Sequence, residues 1–348
     1  MTSANDTKNT VWGSGLFLFS GGEMIIIYIL FLAVGMFALI KGADIFVSGS
    51  SSIAKMFNVP SLIIGLTIVA LGTSLPELAV STSAAIQGSN EIAISNVVGS
   101  NLFNLLAILG ICAVMKPVSV ENDAVTRDIP FSIIITILAL FISCWPILIN
   151  GGFVNIDVSQ NAGTVTRTGG FIFVLLLAVY IVNLIIAAKK SNAESEEAPS
   201  YSLLKSIAMI VFGIGTIILG GQIVVYCAKE IARAAGMSET LIGLTVIAFG
   251  TSLPELVTSL VAIKKQEAAM AIGNTIGSNI FNILFILGVS AIIKPVNVNI
   301  ASCIDLIILV LVTIIVLVFA KSDRKISRIE GGLMILMYSV DMVYAIIR

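Results

Sequence analysis

Six consecutive residues, Gly72-Thr73-Ser74-Leu75-Pro76-Glu77, recur as Gly250-Thr251-Ser252-Leu253-Pro254-Glu255, and each copy sits inside a long apolar run. The match extends well beyond the hexapeptide. Gly65-Leu66-Thr67 returns as Gly243-Leu244-Thr245, Gly99-Ser100-Asn101 as Gly277-Ser278-Asn279, Lys116-Pro117-Val118 as Lys294-Pro295-Val296, and Gly110 as Gly288, every pair 178 positions apart. One offset held over more than fifty residues leaves no room for insertions, so two copies of one unit are expected. The environment of that unit follows from composition. The chain is 57% hydrophobic and 11% charged, with a mean hydropathy of +1.07. Soluble domains carry about 25% charged residues, so most of this chain belongs in lipid.

Ten apolar stretches approach the ~20 residues that cross a bilayer. They fall near 24–47, 60–86, 91–115, 129–149, 169–188, 203–228, 239–263, 267–293, 300–320 and 328–347. The predicted fold is therefore an all-α polytopic membrane protein, with ten transmembrane helices arranged as two repeats of five. An odd number of spans per repeat forces the copies to cross the membrane in opposite senses, which makes them inverted-topology repeats. Such repeats place substrates near the midplane, at broken helices. The expected organisation is a polar tail at 1–22, left uncleaved because Leu16 to Phe19 is too short for a signal-peptide core. A first repeat at 24–188, a polar linker at 189–200 on the cytoplasmic side and a second repeat at 201–348 follow. Lys and Arg in alternate loops divide 12 against 6, an excess that puts both termini outside the cytoplasm of a plasma (inner) membrane.

Glu77 and Glu255 stand in the middle of these runs, where an ionised group costs about 2.5–3.5 kcal/mol on insertion scales. The proline before each removes a backbone donor and displaces the carbonyl four residues back, Gly72 or Gly250. A charge and loosened backbone oxygens are thus brought to one level, as a hard cation requires. Helical spacing puts Ala70, Thr73, Ser74 and Glu77 on one stripe, and Ala248, Thr251, Ser252 and Glu255 on another. In the following spans Asn96, Ser100 and Asn104 are four apart, matched by Asn274, Ser278 and Asn282. These oxygen-bearing stripes suit calcium or sodium. The chain has no histidine, the usual proton shuttle and transition-metal ligand. Its four cysteines, Cys112, Cys144, Cys227 and Cys303, lack paired spacing and read as small core hydrophobes rather than a disulfide or metal set. No basic block suggests nucleic acid, and no nucleophile–base pair suggests an enzyme.

Some of the same features have plainer readings. Gly65, Gly72, Gly99, Gly110 and their partners fit close helix packing. Asn96 and Asn274 suit interhelical hydrogen bonding as well as a site. Asp44, whose repeat equivalent is Gln222, together with Asp305 and Asp341, fits an interfacial place near a span end, and Lys41 is expected to snorkel.

The paired G-T-S-L-P-E and G-S-N-x-F-N segments resemble the alpha repeats of the sodium/calcium exchanger family, within the cation/calcium antiporter superfamily, over about residues 24–348. The resemblance implies exchange of Na⁺ for Ca²⁺ by alternating access, with these ions as substrates and no cofactor. The lipid bilayer is the other expected partner, and a monomer is compatible with the sequence. Carried over by position, Glu77 and Glu255 are the central carboxylate ligands. Thr73, Ser74, Thr251 and Ser252 supply hydroxyl or carbonyl oxygens, with Ser100, Asn104, Ser278 and Asn282 beside them. The carbonyls of Ala70 and Ala248 match the outer and inner sodium positions. Helices near 24–47 and 203–228 would slide across the remaining bundle. Some relatives, including potassium-dependent exchangers, have aspartate where this chain has Asn282. With two site carboxylates, one Ca²⁺ is balanced, and three Na⁺ leave one charge over, so electrogenic, K⁺-independent exchange is expected. The short linker has no room for the regulatory calcium-binding domains of animal relatives. Proton-coupled calcium or cation antiport is the alternative, although such relatives usually carry a different acidic motif.

Overall fold

A computed structural model describes residues 21–88, 90–150, 161–190, 199–237 and 248–347. The helices are α1 (Gly21–Met56), α2 (Ser61–Thr73), α3 (Leu75–Gln87), α4 (Ile92–Met115), α5 (Ala124–Trp145), α6 (Arg167–Lys190), α7 (Leu203–Ala234), α8 (Ala248–Thr251), α9 (Leu253–Lys264), α10 (Ala268–Ile293), α11 (Ile300–Ser322) and α12 (Arg328–Ile347). Among the described residues eight helices are long and apolar enough to cross a membrane, and nine if α2 and α3, bent by 49° at their junction, form one broken span. The stretch expected at 239–263 is described only from Ala248 onward, as α8 and α9. Residues 1–20 of the expected tail, and 191–198 of the expected linker, lie outside the described residues; Gly21 and Gly22, also placed in the tail, open α1 instead.

Burial divides the helices into two groups. The most apolar stretches of α4 and α10 are 83% and 78% buried, whereas those of α1 and α12 are 11% buried. The two helices that follow the Glu motifs therefore form the centre. The outer ones turn Ile26, Leu30, Val34 and Phe37 outward, as lipid-facing helices do.

α1 and α7 run past their expected ends, to 36 and 32 residues. At 1.5 Å per residue α1 is about 54 Å long, far more than the ~30 Å hydrocarbon layer, so it tilts or protrudes. The two helices lie antiparallel, and their seam is written in small residues every seven positions: Gly35, Gly42 and Gly49 against Gly220, Gly213 and Ser206. A Cβ on Gly42 would come within 2.9 Å of the Ile217 nitrogen, and one on Gly220 within 2.8 Å of the Gly35 oxygen. The backbones touch because nothing stands between them.

Among the described residues four π-helical turns interrupt the helices, at Gly65–Val69, Phe103–Ile108, Ala124–Asp128 and Asn282–Leu287. Two of them coincide with Asn104 and Asn282, a placement common for π-bulges at functional sites.

Three expectations need correction. The first is only an addition, since the all-helical expectation stands for the spans: between them β1 (Val118–Ser119) pairs antiparallel with β4 (Lys325–Ile326), and β2 (Asn161–Val165) with β3 (Val296–Asn299). The repeated Lys-Pro-Val explains two of these strands. A residue before proline is pushed out of the helical region, and Lys116 and Lys294 stand at φ −149° and −148° where α4 and α10 end. The second correction concerns the cysteines. Cys144 of α5 and Cys303 of α11 form a disulfide, while Cys112 and Cys227 are free and buried. Their separation of 159 positions carries no pairing signal; only the packing of α5 against α11 brings their Cα atoms to 6.3 Å. Lastly, Gly99 is not a packing glycine, since a Cβ there meets nothing within 4 Å, unlike at Gly65, Gly72 or Gly110.

Candidate functional site

The Glu motif is a helix break in both copies. α2 ends at Thr73, Ser74 adopts φ −84° and ψ 8°, and α3 begins at Leu75 with Pro76 in its first turn. Ser252 repeats this at φ −93° and ψ 7°, followed by Leu253 and Pro254. Proline is tolerated there because a first-turn N–H has no helical partner to lose. Glu77 and Glu255 consequently occupy first turns, where helix dipoles favour negative charge. Both are 1% exposed.

The two breaks serve each other. Ser252 donates to Glu77 Oε1 at 2.9 Å, and Ser74 donates to Glu255 Oε1 at 3.0 Å. Ser252 Oγ also lies 3.2 Å from the Ser100 hydroxyl, and Ser74 Oγ 3.0 Å from that of Ser278. Thr73 Oγ1 is 3.1 Å from the Val69 carbonyl and 3.0 Å from Asn274 Oδ1. Thr251 is buried at the matching place. The Ala70 carbonyl accepts from the Ser74 N–H at 3.1 Å, and Ala248 opens α8.

Asn96 and Asn274 act as braces. Asn96 Nδ2 reaches Ser81 Oγ at 2.9 Å and the Glu77 carbonyl at 3.4 Å; Asn274 Nδ2 reaches Ser259 Oγ at 2.9 Å and the Glu255 carbonyl at 3.3 Å. Each ties a glutamate-bearing helix to the next one. Asn104 and Asn282 donate to Asn279 Oδ1 and Asn101 Oδ1, at 3.0 and 2.9 Å. What these bonds leave over is chemically telling. Glu77 Oε2, Glu255 Oε2, Asn104 Oδ1 and Asn282 Oδ1 are buried without a hydrogen-bond partner. Buried acceptors are normally satisfied, so these two carboxylate and two amide oxygens are candidate ligands for a cation; the Thr258 and Ser290 hydroxyls on the same helices are also unpaired.

Sequence reasoning missed several polar groups. Asn101, Asn279, Ser81 and Ser259 link the helices of the site. Asn101 and Asn279 lie inside the repeated Gly-Ser-Asn triplet, which was the available signal. Asp128 is fully buried at the start of α5, where it accepts from Arg127 Nε at 2.8 Å and the Tyr180 hydroxyl at 3.0 Å. The expected span began one residue too late to notice it. Asp44, expected to be interfacial, pairs with Lys265 Nζ at 2.8 Å, and Lys265 also donates to Ser48 Oγ at 2.6 Å. With a Ser51–Glu267 hydrogen bond, these contacts hold α1 to the α9–α10 turn.

The fold and the paired buried carboxylates define a multi-pass integral membrane protein with a polar centre built from broken helices. The family model for sodium/calcium exchanger proteins matches residues 27–186 and 205–347. A putative antiporter of Alkalimonas amylolytica, CaxA, is 37% identical over 315 residues, covering 89% of this chain and 95% of its own length. The sodium/calcium exchanger MaX1 of Methanosarcina acetivorans is 32% identical, covering 92% of this chain and 99% of its own. Among solved structures, the sodium-calcium exchanger NCX_Mj soaked without Na⁺ and Ca²⁺ superposes with a TM-score of 0.78 at 30% identity, over 92% of this chain and 100% of that one. The chain belongs to the sodium/calcium exchanger family. It is a cation/calcium antiporter, a transporter and not an enzyme.

Proposed function

We propose that this chain exchanges Na⁺ for Ca²⁺ by alternating access, electrogenically and without K⁺, at a site centred on Glu77 and Glu255. The observation that carries the reading is the crossed pairing of each glutamate with the other motif's serine, which leaves one oxygen per carboxylate without a partner. Those oxygens, with Asn104 and Asn282 Oδ1, form the calcium ligands. Hydroxyls or carbonyls of Thr73, Ser74, Thr251, Ser252, Ser100 and Ser278 complete the set, and the Ala70 and Ala248 carbonyls serve sodium. Calcium takes six to eight such oxygens.

The architecture in this reading is ten spans in two inverted repeats, 24–188 and 201–348, joined by a cytoplasmic linker. The two reciprocal bonds between Asn101 and Asn279, 178 positions apart, support it. Both termini are extracytoplasmic, in the plasma (inner) membrane. The disulfide supports this orientation: it lies at the ends of α5 and α11 remote from Arg127 and Lys321, and disulfides persist on the oxidising side.

Glu77 and Glu255 carry two negative charges, which balance one Ca²⁺. Three Na⁺ leave one positive charge, worth about 2.3 kcal/mol per 100 mV. The test is sodium-gradient-driven calcium-45 uptake into proteoliposomes, at imposed potentials, for wild type, Glu77→Gln and Glu255→Gln. Uptake that responds to potential, needs no K⁺ and is lost in both variants is expected. Uptake driven equally by a pH gradient, or retained in either variant, overturns the reading.

A further inference from the structure

We infer that Asn101 and Asn279 are positioning residues that set which end of the Asn104 and Asn282 amides is free for the ion. This rests on the site proposed above. The argument starts from two peptide carbonyls. A carbonyl oxygen can only accept. The Asn101 side-chain atom 3.2 Å from the Asn279 carbonyl is therefore Nδ2, so its other end is oxygen. That oxygen lies 2.9 Å from Asn282, which must present its own nitrogen there. The end left over on Asn282 is Oδ1, buried and without a partner.

The mirror chain runs the same way. Asn279 Nδ2 donates to the Asn101 carbonyl at 3.2 Å, Asn279 Oδ1 accepts from Asn104 Nδ2 at 3.0 Å, and Asn104 Oδ1 is left over. All four side chains are at most 1% exposed, so no water competes for these bonds. A free asparagine could turn either end towards a cation, and its NH₂ end repels one. The clasp removes that choice at both positions.

The clasp also restricts what position 282 can be. Asn101 Oδ1 needs a donor opposite it, which an ionised aspartate lacks. A rotation of Asn101 to oblige would set its oxygen against the Asn279 carbonyl. An acid at 282 therefore sets its added charge against the Asn101 oxygen while Asn101 is in place.

The test is a cycle on the purified full-length protein in detergent, measuring calcium-45 binding for N101A, N282D and N101A/N282D. The mirror cycle uses N279A and N104D, and E77Q and E255Q are measured alongside. A carboxylate has oxygen at both ends and needs no orienting. N101A should weaken Ca²⁺ binding about tenfold in the wild-type background, and should not weaken it in N282D. An equal loss in both backgrounds shows that Asn101 merely welds α4 to α10, and overturns the proposal. If an alanine variant fails to fold, the mirror cycle decides. If both fail, the single variants do: N282D or N104D binding Ca²⁺ tenfold more tightly than wild type overturns it, and no tightening supports it. Wild-type binding in E77Q and E255Q identifies the site itself as the error, whatever the cycles give.

Discussion

Gly273→Ala puts one methyl group where two backbones touch. A Cβ built on Gly273 of α10 would clash with the Leu62 carbonyl oxygen and lie 2.8 Å from the Leu66 nitrogen and 2.9 Å from Gly65 Cα. All three are main-chain atoms of α2, so no side chain can rotate away. Restoring an ordinary contact of ~3.5 Å requires the helices to part by about 1 Å. Overpacking in a well-filled core costs roughly 1–3 kcal/mol, and a rigid neighbour places this change at the upper end. The displacement falls beside the site. Asn274 is the next residue, and it holds Ser259, the Glu255 carbonyl and Thr73 by bonds of 2.9, 3.3 and 3.0 Å. A misplacement of ~1 Å in such a constellation can cost a hundredfold in rate. Thermal unfolding of the purified protein in detergent should therefore show a lowered midpoint. Sodium-driven calcium flux should fall by more than the loss of folded protein explains. Gly332→Ala is the control, because a Cβ there meets nothing within 4 Å. A Gly273→Ala protein with wild-type melting and wild-type flux would refute the backbone-contact argument.

Removal of the Cys144–Cys303 disulfide with a Cys144→Ser substitution should lower thermal stability and leave the exchange chemistry in place. Closing a loop of this length is worth up to about 5 kcal/mol in the chain-entropy model, and helices that stay inserted in lipid should realise less. Unchanged melting, or a loss of Ca²⁺ affinity, would count against a purely stabilising role. Asp44→Asn and Lys265→Gln should each cost little, since the partners are 47% and 31% exposed and such pairs are worth roughly 0.2–1 kcal/mol. A double-mutant cycle on melting should return a coupling in that range at low salt and less at high salt, and no coupling would dismiss the pair as incidental.

Much of the fold was readable because bilayer thickness imposes one length on every span, and because the repeat fixes equivalences without an alignment. The helix breaks at Ser74 and Ser252 were legible from Pro76 and Pro254, since proline leaves few places to sit in a helix. The site residues were named from spacing, and Ser74, Ser252, Ser100, Ser278, Glu77 and Glu255 are brought together. Other features were hidden for definite reasons. Cys144 and Cys303 meet only through tertiary packing. The lengths of α1 and α7 were underestimated because hydropathy falls at the membrane edge while the helix continues. Asp128 lay one residue outside the expected span, and its partners, Arg127 and Tyr180, come from its own first turn and from another helix. The orientations of Asn101 and Asn279 depend on distant carbonyls, which no local pattern reveals.

The crossing of Ser74 to Glu255 and Ser252 to Glu77 has the form of an isologous contact, in which residue i meets j and j meets i, as between two identical subunits about a dyad. A change at one such position in a true homodimer would be imposed on both sides of the axis at once. Joined in a single polypeptide, the two copies are free to drift apart away from the dyad, and they have done so. Asp44 faces Lys265, while the corresponding positions hold Gln222 and Gln87. The Asp44–Lys265 contact can therefore vary without disturbing the crossed pairs of Ser74 with Glu255 and Ser252 with Glu77.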